Sequence, residues 1–135
     1  MPKQYINPPG LSTSTAFTRI LSVTAPAKLI YIAGQVPTDR ESRPLHVGDI
    51  RAQYIAILDA LTIQLKAAGA AWDDVVFRRT YTVDVPAFVQ HCIQDELFPF
   101  PWSRERPSPS TLIGVTALAN PAFLVELEIA AAIVD

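Results

Sequence analysis

Glu126 and Glu128 stand two residues apart in a C-terminal segment, 124–134 (LVELEIAAAIV), whose other members are apolar or small. On a strand, side chains alternate, so both carboxylates would share one face while Val125, Leu127, Ile129 and Ala131 fill the other. Carboxylates so placed serve either as partners of a cation or as acceptors of a proton from water. Arg78 and Arg79 are adjacent; on a strand they point to opposite faces and cannot form one anion clamp, so an ion pair with Glu128 is the expected role for one of them. Arg104 and Arg106 flank Glu105 in a proline-dense stretch, 99–109, where they either meet a ligand or face water. Ser110 and Thr111 follow directly and can bind a polar ligand or satisfy a strand edge. Phe98, Phe100 and Trp102 either wall an apolar pocket or seal an edge. His46 and His91 lie far apart without a Ser or Cys motif beside them, which leaves a nucleophile triad without support. Cys92 is the single cysteine; it allows no internal disulfide and no thiolate zinc site. No metal and no cofactor are expected.

The elements that position these residues are legible from periodicity. Residues 29–33 (LIYIA), ended by Gly34, are apolar on both sides, as in a strand covered on both faces. Residues 17–24 are the expected hairpin partner, with Pro26 and Ala27 in the turn. From about 47 to 68, Ile50, Tyr54, Ile57, Leu58, Leu61 and Leu65 recur at three- and four-residue spacing, a helical stripe closed by Gly69. Residues 75–83 (VVFRRTYTV) read as a strand. Pro86 opens a second helix that should reach about Phe98. Residues 110–115 and 124–134 are the last two strands. The order strand, strand, helix, strand, helix, strand, strand suits an α/β domain: one mixed sheet with both helices on a single face.

With 135 residues the chain suits one domain, 1–135. No apolar run approaches the roughly 18 residues of a membrane span, and Met1-Pro2-Lys3-Gln4-Tyr5 leads into prolines rather than an apolar signal segment. The expected location is the cytoplasm. A net charge of −2 with scattered cations gives no footprint for nucleic acid. Half the residues are hydrophobic, which in a small chain points to a face hidden against other subunits.

Several blocks carry a family resemblance: Ile32-Ala33-Gly34-Gln35-Val36-Pro37, residues 53–70 (QYIAILDALTIQLKAAGA), Trp72-Asp73-Asp74-Val75-Val76, Pro107-Ser108-Pro109-Ser110-Thr111-Leu112, Thr116-Ala117-Leu118 and residues 124–130 (LVELEIA). In order and spacing the chain resembles the Rid (YjgF) family over nearly its whole length. The resemblance implies a chorismate-mutase-like α/β fold in which three sheets form the inner barrel of a homotrimer, with a small-molecule cleft at each subunit interface. It also implies cofactor-free hydrolysis of imines and enamines derived from amino acids, giving ammonia and a 2-keto acid; some members are named endoribonucleases or translation inhibitors. Glu126 matches the acidic residue that orients or activates the attacking water. Gly34 falls where backbone groups meet the ligand. Ser110 stands where the deaminating members carry an arginine that grips the substrate carboxylate, and a serine hydroxyl cannot replace that charged fork. Phe17 aligns with a tyrosine and Leu112 with a cysteine of those members. The resemblance thus implies a Rid-type hydrolase of small imines, enamines or related carbonyl metabolites. Glu126 would be catalytic, with Phe17, Gly34, Ser110, Thr111, Arg104 and Arg106 around the ligand. A homologue that binds a metabolite without deaminating it is the alternative. A ribonuclease finds no basic groove or stacking array here.

Overall fold

The computed structural model describes residues 2–26 and 28–134. Its longest element, α1 (Ile50–Ala67), starts where the Asp49 carboxylate accepts a hydrogen bond from the Ala52 amide, the usual role of an aspartate at a helix N-cap. It ends before Gly69, whose φ of +79° suits a residue without a Cβ. The stripe read from the sequence is the buried face, and Gln53 joins it. Gln53 is satisfied there: its amide donates to Leu45 and Ala122 carbonyls at 3.2 and 2.8 Å and accepts from the Leu124 amide at 2.9 Å.

Among the described residues, six strands form two sheets. β1 (Lys3–Ile6) pairs antiparallel with β2 (Ile20–Val23). β3 (Lys28–Gln35), β6 (Val125–Ile133), β4 (Val75–Thr82) and β5 (Ser110–Gly114) make the main sheet, in the order β3-β6-β4-β5, with β4 and β5 parallel and the other pairs antiparallel. This is the mixed α/β sheet expected, but the hairpin is different. Residues 20–23 pair with β1, not with β3, and the Thr24 amide donates to the Pro2 carbonyl. No strand was expected among residues 1–8; the stretch KQYI alternates in exposure as a strand does and supplies the partner of β2. Pro26 lies in the connection, while Ala27 falls outside the described residues.

Two boundaries also moved. β3 does not stop at Gly34 but passes through it, with a register irregularity between Ile32 and Gln35. The second helix is a single turn, α2 (Val85–Phe88), that runs directly into a wider π-helical turn, Val89–Ile93. It begins as expected, with Asp84 capping the Ala87 amide and Pro86 in the first turn, but stops short of Phe98. Asp95 accepts from the Leu97 amide at 2.9 Å and pairs with Arg51 at 2.9 Å, so its carboxylate holds a turn where a longer helix would have continued.

α1 and the second helical segment cover the sheet face carrying Ile30, Arg78, Thr80, Thr82, Val125, Leu127, Ile129 and Ala131, all buried. The opposite face carries Leu29, Tyr31, Glu126 and Glu128, and no element among the described residues packs over it: Tyr31 is 79% and Leu29 55% exposed. The alternation expected of the last strand is therefore the observed one.

Candidate functional site

Glu126 and Glu128 share the open face and differ in what holds them. Glu128 accepts from Arg79 Nη1 at 2.8 Å and from the Tyr81 hydroxyl at 2.7 Å. Both partners come from β4, where register sets Arg79 opposite Glu128 and Tyr81 opposite Glu126. These hydrogen bonds, the Arg79 one first, hold the Glu128 carboxyl below its usual value. Glu126 has no ion-pair partner among the described residues. Its carboxylate lies on Gly34, where a Cβ would overlap Oε2 and stand 2.9 Å from Cδ. A side chain at this point would displace the Glu126 carboxylate, and the irregularity in β3 marks the same spot. A half-buried, unpaired carboxylate against a bare stretch of backbone can accept a proton from a water lodged beside it.

On the covered face, the loop after the second helical segment folds back as a ladder of aromatic rings. Centroids of Phe98 and Phe100 are 4.6 Å apart, Phe100 and Trp102 4.9 Å, Trp102 and Trp72 5.3 Å. Between this ladder, α1 and the edge of β5 lies a cavity of about 150 Å³. It is lined by Tyr54, Arg78, Ser110, Thr111 and Arg104 and by the apolar Phe88, Ile93, Phe100 and Leu112. Burial pushes the Tyr54 phenol up to about 12, so it stays protonated at neutral pH. Arg78, only 5% exposed, donates from Nε to Ser108 Oγ at 2.8 Å and from Nη2 to the Ala16 carbonyl at 2.8 Å. Its guanidinium lies 4.0 Å from the Trp102 ring centroid. Burial pulls its pKa down and the Tyr54 side chain opposes this. Arg104 donates to the Phe98 carbonyl at 3.2 Å and sits over Phe100.

The residues singled out from the sequence thus fall into groups. Gly34 and Glu126 touch each other on the open face, while Ser110, Thr111 and Arg104 line the covered cavity. Arg106 lies over the Tyr5 ring beside a separate, much smaller hollow, and Phe17 is half-buried next to Ala16 without lining the cavity. Of the two arginines for which an ion pair with Glu128 was open, Arg79 forms it. Arg78 and Tyr54 were not foreseen as cavity residues. The available signal was that every acidic residue of the strands falls on the other face, leaving a buried Arg78 without a counter-ion. Cys92 is fully buried and burial raises its thiol to about 12, consistent with packing alone.

Residues 11–133 match the family model described as Endoribonuclease L-PSP. The chain belongs to that family. Among its relatives, this L-PSP member is 30% identical over 130 residues to the 3-aminoacrylate deaminase RutC of Acinetobacter baylyi, covering 94% of this chain and 95% of that one. It is 32% identical to the Rid-family protein YyfB of Yersinia pestis, a protein of unknown function, whose crystal structure superposes with a TM-score of 0.84 over 98% of this chain and 100% of that one. A member of the YjgF/YER057c/UK114 family from Mycobacterium tuberculosis matches with a TM-score of 0.56 at 27% identity, covering 87% and 86%. Family membership and the two-helix, mixed-sheet fold of the L-PSP chain are therefore established. Among the described residues no helix is long and apolar enough to cross a membrane.

Proposed function

We propose that this protein is a Rid-type hydrolase of small imines, enamines or related carbonyl metabolites, in which Glu126 orients and deprotonates the attacking water. One observation carries the reading: of two carboxylates on one strand face, Glu128 is consumed by Arg79 and Tyr81, whereas Glu126 has no ion-pair partner and lies against Gly34. The enamine named in the RutC relative's description is the reaction class this carboxylate suits. Once the enamine has taken a proton from solvent at carbon to become the iminium ion, water attacks that ion and passes a proton to Glu126. Glu126 returns the proton to the nitrogen of the carbinolamine, which leaves as ammonia, and loss of the hydroxyl proton to solvent gives the carbonyl product. No cofactor enters this sequence.

The working unit in this reading is a homotrimer. Leu29 and Tyr31 lie exposed beside Glu126 and Glu128 on a face the chain leaves bare, and such a face is suited to burial against other copies. The exposed Thr111 of edge strand β5, with Ser110, would be offered to a neighbour's Glu126. Phe17, Arg104 and Arg106 are secondary candidates for the cleft rim. Ser110 places no guanidinium where the deaminating members have one, so this protein falls in a subgroup lacking that substrate-binding arginine. That departure favours a second reading, a homologue that binds a small metabolite without deaminating it.

The experiment is ammonia release from freshly generated imines and enamines, with sedimentation on the same sample. Neutral enamines should be hydrolysed, imines of ordinary amino acids only weakly, by a species three times the chain mass of 14.8 kDa. Binding of such compounds without ammonia release would favour the second reading. A monomer at micromolar concentration would remove the interface cleft altogether.

A further inference from the structure

We infer that Gln64 on α1 and Gln35 on β3 are positioning residues for Glu126: their hydrogen bond, on the covered face of the sheet, fixes the bulge that sets Gly34 against the carboxylate on the open face. The consequence for turnover rests on the hydrolase reading above; the geometry does not. Ile32 stands opposite Ile129 and Gln35 opposite Leu127, so Ala33 and Gly34 together face Glu128 alone. Two residues against one make a β-bulge, a device that re-aims side chains beside functional groups. Strict alternation from Ile32 would return Gly34 to the covered face and send Gln35 to the open one. The extra residue reverses this: Gln35 stands level with the buried Leu127, and Ala33 and Gly34 are both exposed. Gly34 is thereby presented to Glu126, whose Oε2 occupies the space a Cβ would take.

A bulge interrupts the ladder that would otherwise hold a strand in place. Here a pair of side-chain amides supplies the hold. Gln64 Nε2 donates to Gln35 Oε1 at 2.7 Å, and Gln35 Nε2 donates to the Val36 carbonyl at 2.8 Å. The second bond closes Gln35 onto its own strand end, and the first ties it to a helix. Gln64 also donates to the Ala60 carbonyl at 3.3 Å, one turn back, and its neighbour Leu65 is buried in the core, so the amide stands on a fixed element. Both glutamines are half-buried. Stability alone does not call for such a pair, since two apolar side chains of the same shape can be nearly as stabilising; a hydrogen bond adds a fixed distance and direction. The bulge is thus set from α1, through the sheet, at the point where Glu126 rests.

Gln64→Met keeps bulk and helix propensity but removes the donor. With one neutral enamine as substrate, kcat should fall about ten-fold, part of the roughly 10²-fold that an ångström of misplacement costs, while KM stays within about two-fold. Gln35→Met should reproduce the loss and covers the case in which the Gln64 variant folds poorly. In a Glu126→Gln background, Gln64→Met should cause no further loss, because the amide acts only through the carboxylate. Independently of turnover, the Gly34 amide and Glu126 ¹³Cδ resonances should move in Gln64→Met, while Glu128 ¹³Cδ, held from β4, should not. Unchanged kcat, a loss confined to KM, or an equal loss with and without the Glu126 carboxylate would each overturn the assignment. A wild-type protein that turns over no enamine would defeat the hydrolase reading instead; the resonances then decide, and unmoved Gly34 and Glu126 signals would overturn the positioning role.

Discussion

The two faces of the four-stranded sheet handle charge in opposite ways. On the open face, Glu128 is tied to Arg79 and Tyr81 while Glu126, two residues away, has no cation among the described residues. On the covered face, Arg78 lies among aromatic rings and hydroxyls with no anion among the described residues. Each face therefore keeps one charge in reserve, of opposite sign, and the sheet separates them. Adjacent residues of β4 produce this division because alternation sends Arg78 inward and Arg79 outward. A paired charge is a structural device; an unpaired one on a wall is available to a ligand or a water.

The covered face carries the folding energy, and truncating it should produce the largest effect. Leu61 is fully buried on α1, so Leu61→Ala should cost about 2–5 kcal/mol in denaturant unfolding. A loss under about 1 kcal/mol would mean that this face is loosely packed.

Gly34→Ala acts next, on the open face. The added methyl would overlap the Glu126 carboxylate, which must swing away. Misplacing a catalytic group by an ångström costs on the order of 10²-fold in turnover, so hydrolysis should fall by that factor while thermal stability changes far less than in Leu61→Ala. Full activity in Gly34→Ala would break the link between the close approach and catalysis.

Much of this division was legible in the sequence. The stripe on α1, the Gly69 stop and the two-residue alternation of β6 are local patterns, and each survives folding because it matches the period of its element. The proline-dense loop and the Arg79–Glu128 pairing were legible for similar reasons. What could not be read depended on distant partners. Pairing of β2 with β1 was hidden because β1 has only four residues, Lys3–Ile6, followed closely by prolines. The second helix ended early because Asp95 turned to Arg51, forty-four residues away. Alternation alone required the arginines to diverge, but only the packed aromatic loop made Arg78 a cavity residue.

A charge placed on the uncovered apolar surface tests its purpose. Tyr31 is 79% exposed, so Tyr31→Asp should alter the stability of the single chain by no more than about 0.5 kcal/mol. The proposed homotrimer should nevertheless dissociate on sedimentation, since an interface charge without a partner is costly to bury. An intact assembly would place the subunit contact elsewhere.

The smallest effect belongs to Glu128. Its pair with Arg79 is partly solvated, with side chains 31% and 50% exposed, and solvent screening limits Glu128→Gln to about 0.2–1 kcal/mol. Because the folded carboxyl is held below its usual value, its contribution is complete above the unfolded value of about 4.3 and is lost as pH falls through the lower folded value. Wild type and Glu128→Gln should therefore differ in melting temperature at neutral pH and converge in acid. A difference that grew on acidification would contradict the pairing.

Turnover of one neutral enamine by wild type, Glu126→Gln and Glu128→Gln, measured side by side as ammonia release, tests the central claim most directly. Glutamine preserves size and hydrogen bonding while removing the base. Glu126→Gln should lose about 10²-fold or more in kcat with its assembly intact, and Glu128→Gln should remain within a few-fold of wild type. Wild-type turnover by Glu126→Gln, or an equal loss in both variants, would show that the unpaired carboxylate is not the base.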